Sequence, residues 1–163
     1  VIVDNVLPEV PDLDRCFQEL WDHFGRAESW SCFDDVPPLL DRLDDLRIPY
    51  VLASNFDARL RDVLSGLDEL RDRFVSPVIS SEIGFRKPHP GFYREVFERL
   101  GVDPSRVLWI GDDPLHDVEG PRRERAQGLL LDRKASQGSG SDGVVHDLGS
   151  VRSRFTPAPR VTV

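Results

Sequence analysis

Val107-Leu108-Trp109-Ile110-Gly111-Asp112-Asp113-Pro114-Leu115-His116-Asp117 is the stretch that decides the fold. A short unbroken apolar run reads as a strand buried on both faces, and carboxylates placed directly after it stand at the strand's carboxyl end. Toward the N-terminus, Tyr50-Val51-Leu52-Ala53 is a second such run and leads into Ser54-Asn55. A further strand is expected over residues 74–79, placed at an edge by Pro77, and Leu129-Leu130-Leu131 makes another. Between these lie stripes at helical spacing. Leu39, Leu40, Leu43 and Leu46 follow Asp35 as N-cap, and Leu60, Val63, Leu64 and Leu67 end near Gly66. Phe92, Val96, Phe97 and Leu100 are closed by Gly101, and residues 113–125 read as helical despite Gly120-Pro121. Strands alternating with helices predict an α/β domain with a parallel sheet and a ligand site at the strands' carboxyl ends.

Farther out, Leu13, Phe17, Leu20, Trp21 and Phe24 form one more helical stripe, ended by Gly25. Residues 136–143 are Gly/Ser-rich and read as a flexible loop, and the tail from Thr156 as frayed. The chain has 163 residues, the size of one domain or of one domain with part of another. With 39% hydrophobic and 31% charged residues it can build a core beneath an ordinary polar surface. A net charge of −8 argues against nucleic acid or an anionic membrane as partner. No apolar run approaches the ~20 residues of a membrane span, and the first residues lack a signal-peptide pattern. Cys16 and Cys32 fit neither a metal pair nor a disulfide framework, so a reducing, cytoplasmic location is expected. No methionine occurs, even at position 1, which points to an N-terminal truncation.

At the rim predicted for the sheet stand Ser54 and Asn55 after one strand, Asp112, Asp113 and Asp117 after another, and Lys87 just before a helix. That set suits a phosphate ester. A hydroxyl binds one phosphoryl oxygen, a fixed cation neutralises charge, and a divalent metal supplies the remainder. Lysine serves as a compact charge in a chain that otherwise prefers arginine, while carboxylates hold Mg²⁺ together with its waters.

Ser54-Asn55-Phe56-Asp57, Arg86-Lys87-Pro88-His89-Pro90 and Gly111-Asp112-Asp113 followed by Asp117 and Gly120 resemble, in order and spacing, the second to fourth motifs of the haloacid dehalogenase (HAD) superfamily. They are similar to its haloacid dehalogenase-like hydrolase domain-containing 3 branch. The resemblance covers residues 36–150. It implies a Rossmann-like core over residues 34–155, the C-terminal part of a helical cap over 1–33, and a tail over 156–163. By resemblance Ser54 binds a phosphate oxygen with support from Asn55, and Lys87 neutralises nucleophile and phosphate. Asp112 binds Mg²⁺, Asp117 assists the metal or orients Lys87, and Asp113 is a further metal candidate. The implied activity is a Mg²⁺-dependent phosphatase of a small phosphorylated metabolite, working through an aspartyl-phosphate.

One departure stands out. The family attacks phosphorus with the first Asp of an Asp-x-Asp motif on a central strand, and nothing upstream of Ser54 matches it. Val1-Ile2-Val3-Asp4 comes nearest, but Val6 stands where the second Asp belongs. The chain is therefore expected to be inactive alone. Its strands ending in Ser54 and Asp112 should either flank a vacant lane of about 9.6 Å, twice the interstrand spacing, or collapse together. A non-catalytic binding or scaffold domain is the alternative of another class, and a 2-haloacid dehalogenase the alternative enzyme. The carboxylate cluster disfavours the dehalogenase. Trp21, Trp30 and Phe33 read as packing residues, His89 and His116 as solvated, and Arg122-Arg123-Glu124-Arg125 as a solvated helix face.

Overall fold

The computed structural model describes residues 12–134, 143–153 and 155. Residues 1–11 of the cap segment, residues 136–142 of the expected loop and the tail from Thr156 lie outside them.

Helix α1 (Leu13–Phe24) is followed by α2 (Val36–Asp45), strand β1 (Ala53–Ser54), α3 (Leu60–Gly66), β2 (Val78–Ile79) and α4 (Ser80–Ile83). Next come α5 (Pro90–Leu100), β3 (Leu108–Gly111), a π-helical turn (Pro114–Glu119), α6 (Gly120–Arg123), β4 (Gln127–Leu131), β5 (Val144–Val145) and α7 (Leu148–Arg152). Every described strand pair is parallel, as the alternation of runs requires.

The strands form two sheets rather than one: β1 pairs with β2, and β3, β4 and β5 make the other in that order. No ladder joins β1 to β3. A groove of about 430 Å³ lies between them, walled by Val51 and Ala53 on one side and Leu108, Trp109 and Ile110 on the other. Among the described residues the lane is open, not collapsed. Its opening also corrects the expectation that the run from Tyr50 is buried on both faces. Val51, Leu52, Ala53 and Ser54 are all only half-buried, and the ladder begins at Ala53.

Two apolar clusters hold the sheets. Val78 packs with Phe92, Tyr93, Val96 and Trp109, so α5 contributes to both halves of the fold. Leu39 and Leu43 of α2 pack with Leu129, Val145, Leu148 and Val151 behind the larger sheet. Each fully buried side chain of this kind contributes about 1.5–3 kcal/mol, so the helices are fixed by their apolar stripes more than by propensity.

Elsewhere the structure adjusts the reading. Only Val78–Ile79 of the stretch 74–79 forms strand, and it lies at an edge. Asp35 stands at the start of α2 without capping it. Its carboxylate instead takes both guanidinium nitrogens of Arg133 at 2.8 Å and the Leu148 N–H at 2.8 Å. This ties α2 to β4 and α7, and it holds the Asp35 carboxyl below its usual range, chiefly through Arg133. The stripe of α1 is not a core stripe, because none of its residues is buried. Trp21 is instead covered by the Arg59 guanidinium, 3.5 Å from the ring centroid, and Arg59 is itself fixed by Asp57 at 2.6 Å. Among the described residues no helix is long and apolar enough to cross a membrane.

Candidate functional site

Lys87 is the centre of the rim. Its ammonium donates to Asp117 Oδ1 at 2.7 Å, with the two side chains only 12% and 5% exposed. Desolvating that pair is costly, so its partners matter. Asp117 Oδ1 also accepts from the Trp109 indole N–H at 3.0 Å, and its Oδ2 from the Asp113 backbone N–H at 3.1 Å. The carboxylate is therefore held from several directions. From the other sheet, Asn55 accepts from the Lys87 N–H at 2.7 Å and donates to the Lys87 carbonyl at 3.0 Å. The Lys87-Pro88 peptide is cis.

The local sequence explains these placements. Gly111 lets the turn after β3 close on Asp117, since a Cβ at Gly111 would overlap that carboxylate. Gly120 likewise leaves room for the Tyr93 ring, whose hydroxyl donates to the His116 carbonyl at 2.7 Å. Burial, followed by the nearby Asp117 charge, pushes the Tyr93 phenol up to about 12. His89 accepts from the Gly91 N–H at 3.0 Å as N-cap of α5, and it stacks on Phe85.

The remaining residues sort by what they already bond. The Ser54 hydroxyl, at the carboxyl end of β1, has no hydrogen-bond partner among the described residues. The same holds for the exposed Asp112 carboxylate after β3. Asp113 caps its own turn by accepting from the His116 N–H at 2.8 Å. That bond leads the causes that lower its carboxyl below the ordinary range. Among the described residues no group of three or more His, Cys, Asp and Glu side chains is set to hold a metal. The donor set nonetheless fits Mg²⁺, because this ion needs only one or two protein carboxylates alongside waters and phosphate oxygens, and Asp112 is uncommitted.

Sequence reasoning missed Trp109 as part of this rim, and it placed Gly111 in the motif there without giving it a role. The apolar run masked the indole donor. The glycine could have been read from its place just before Asp112, where the backbone must approach a side chain closely.

A family described as hydrolase, haloacid dehalogenase-like hydrolase, matches residues 4–123. The chain belongs to that family. The haloacid dehalogenase-like hydrolase domain-containing protein 3 of Danio rerio is 33% identical over 125 residues, which are 77% of this chain and 51% of that protein. The chain spans about half the length of the curated relatives it matches. Among solved structures, a HAD phosphatase from Thermococcus onnurineus superposes with TM-score 0.69 at 24% identity, covering 85% of this chain and 63% of that one. The D,D-heptose 1,7-bisphosphate phosphatase of B. bronchiseptica, solved with magnesium and phosphate, gives TM-score 0.63 at 22% identity, covering 80% and 86%. These likenesses establish the haloacid dehalogenase-like fold, a Rossmann-type α/β core with parallel strands. The Ser54, Lys87 and Asp112 rim lies at the carboxyl ends of its strands.

Proposed function

We propose that this chain forms the phosphate- and Mg²⁺-binding half of a cytoplasmic phosphatase for a small phosphorylated metabolite, whose intact site works through an aspartyl-phosphate. One observation carries the reading. Lys87 is locked between Asn55 and Asp117, while the Ser54 hydroxyl after β1 and the Asp112 carboxylate after β3 have no partner among the described residues. A phosphoryl group placed there meets a hydroxyl donor, a fixed cation and a metal ligand at once, the set that phosphoryl transfer requires. A fold neighbour solved with magnesium and phosphate, and another named a HAD phosphatase, support the same chemistry.

Ser54 donates to a nonbridging oxygen. Lys87 neutralises phosphate charge from a partly buried position, where a point charge acts more strongly than in water. Asn55 and Asp117 are positioning residues that keep the ammonium from swinging away. Asp112 would hold Mg²⁺, which when bound adds charge neutralisation at the phosphate. A cleft of about 550 Å³ beside Asp112, lined by Phe33, Leu131, Arg133 and Lys134, gives a small substrate room. Residues 12–33 are the described part of a helical cap, which meets the loop after β1 where Trp21 contacts Arg59.

No described strand lies between β1 and β3, so no described residue brings an attacking carboxylate to that place. The chain alone is therefore expected to bind phosphate without turning over esters, which also suits a non-catalytic binding domain. The test is calorimetric titration of the full chain with inorganic phosphate in the presence of Mg²⁺, beside p-nitrophenyl phosphate assays. The reading requires binding that weakens at least about tenfold in Lys87→Ala and Ser54→Ala. Absent binding, or binding indifferent to Lys87, would overturn it. Ester turnover that depends on Lys87 would overturn the expected inactivity.

A further inference from the structure

We propose that Phe85 and His89 are positioning residues for Lys87, their stacked rings pinning both ends of the short segment that carries the ammonium. The consequence for phosphate binding rests on the function proposed above, whereas the placement of Lys87 does not.

Lys87 stands midway between the two rings in sequence, and the segment around it closes on itself. The His89 N–H donates to the Arg86 carbonyl at 2.8 Å, so Lys87 is the second residue of a four-residue turn. The Phe85 ring lies on the His89 imidazole, 4.5 Å between centroids and 9° from parallel. It also lies against Gly91, where a Cβ would come within 2.8 Å of the ring. Gly91 belongs to the first turn of α5, which the buried Phe92 and Tyr93 fasten to the core. The stack therefore ties the chain before Lys87 to the rigid helix after it.

That side needs a tether. Gly84 ends α4 with a φ of +78°, and a Cβ there would meet no described atom within 4 Å beyond its chain neighbours. Asn55 grips Lys87 by its own N–H and carbonyl, and the stack fixes the residues on either side. Burial does not account for Phe85, which is 45% exposed. The choice of residue at 89 points the same way. Ser, Thr, Asp and Asn are the usual N-caps, and each could accept from the Gly91 N–H as His89 Nδ1 does at 3.0 Å. Histidine adds a flat ring, and the stack on Phe85 is the use made of it.

The chain has two lysines, Lys87 and the exposed Lys134, so the ¹⁵N-ammonium NMR spectrum of the full chain reads the placement directly, with Lys134→Arg assigning the signals. Lys87 should exchange its ammonium protons more slowly than Lys134. Phe85→Ala and His89→Asn should each speed that exchange at least about tenfold, with a urea midpoint close to the parent's. His89→Phe keeps a ring but loses the cap, and should stay within about threefold of the parent. The reverse order, with Asn harmless and Phe damaging, would reduce His89 to a helix cap and overturn the proposal. So would unchanged exchange in Phe85→Ala, a parent Lys87 that exchanges as fast as Lys134, or faster exchange matched by a general fall in the urea midpoint. Calorimetry with inorganic phosphate and Mg²⁺ separates the two readings. Phe85→Ala should weaken binding at least about threefold, and binding that requires Lys87 but ignores Phe85 would overturn the proposal. A parent chain that binds no phosphate would overturn the proposed function alone, because the ammonium exchange needs no ligand.

Discussion

Asn55 holds Lys87 by its backbone from both sides, accepting from the N–H at 2.7 Å and donating to the carbonyl at 3.0 Å. The contact joins the loop after β1 to the segment before α5, and Asp117 then draws the Lys87 side chain toward β3. Lys87 thus bridges two sheets that share no ladder. Asn55→Ala removes both bonds at about 0.5–1.5 kcal/mol each. It should lower stability by about 1–3 kcal/mol in urea denaturation and weaken phosphate binding with it. Unaltered phosphate affinity would show that Lys87 does not depend on this clamp.

Asp117→Ala leaves the Lys87 ammonium buried without its partner, a change that costs about 3–5 kcal/mol in comparable pairs. Replacing both residues, as Lys87→Met with Asp117→Leu, should recover most of that loss while abolishing phosphate binding. A double-mutant cycle in guanidinium measures the coupling. A coupling near zero would mean the pair is not a strut.

Asp112→Asn should behave in the opposite way. The carboxylate is exposed and has no described partner, so stability should stay within about 0.5 kcal/mol. Mg²⁺ affinity should fall by about tenfold or more. Calorimetry with Mg²⁺ alone reads this directly, and an unchanged isotherm would remove Asp112 from the metal site.

Tyr93 predicts an alkaline loss of stability. Burial first and the Asp117 charge second raise its phenol to about 12 in the fold, against about 10 unfolded. The native state therefore favours the proton. The contribution is complete below about pH 10 and disappears as pH rises toward about 12, amounting to about 3 kcal/mol. Tyr93→Phe should flatten the stability slope over that window relative to the parent chain, at the expense of its bond to the His116 carbonyl. Equal slopes in parallel pH-dependent urea melts would refute the assignment.

Gly111→Ala should destabilise by about 1–3 kcal/mol, the usual range for overpacking a tight site, because the added methyl would overlap Asp117. A weaker grip of Asp117 on Lys87 should accompany it, read as a loss of phosphate affinity beyond that of a surface Gly→Ala control.

Much of the fold was legible in the linear order. The apolar run before Asp112 became a parallel strand, the run before Ser54 gave one only at Ala53, and the stripes at Leu39, Val63 and Phe92 became buried helix faces. Failures came where local pattern and tertiary partner disagree. The α1 stripe looks like a core helix because Leu13, Phe17, Leu20 and Trp21 share a face, yet none of its residues is buried, and Trp21 is covered by a guanidinium instead. Asp35 has a good N-cap position, but Arg133, distant in sequence, takes its carboxylate. The short strand Val144–Val145 and helix Leu148–Arg152 give too few residues for a period to register.

Sequence alone determined that Ser54 and Asp112 follow strands and that Lys87 stands just before a helix, since a strand's polarity and its flanking turn fix those positions whatever the detailed packing. Only the tertiary structure decided how those groups divide their work. Asn55 and Asp117 are bound to Lys87, and Asp113 to its own turn, while Ser54 and Asp112 have no partner among the described residues. Hydrogen-bond partners so far apart along the chain depend on angles and distances that no spacing encodes. The open groove between β1 and β3 follows the same logic: which edges face each other is a property of the assembled sheets.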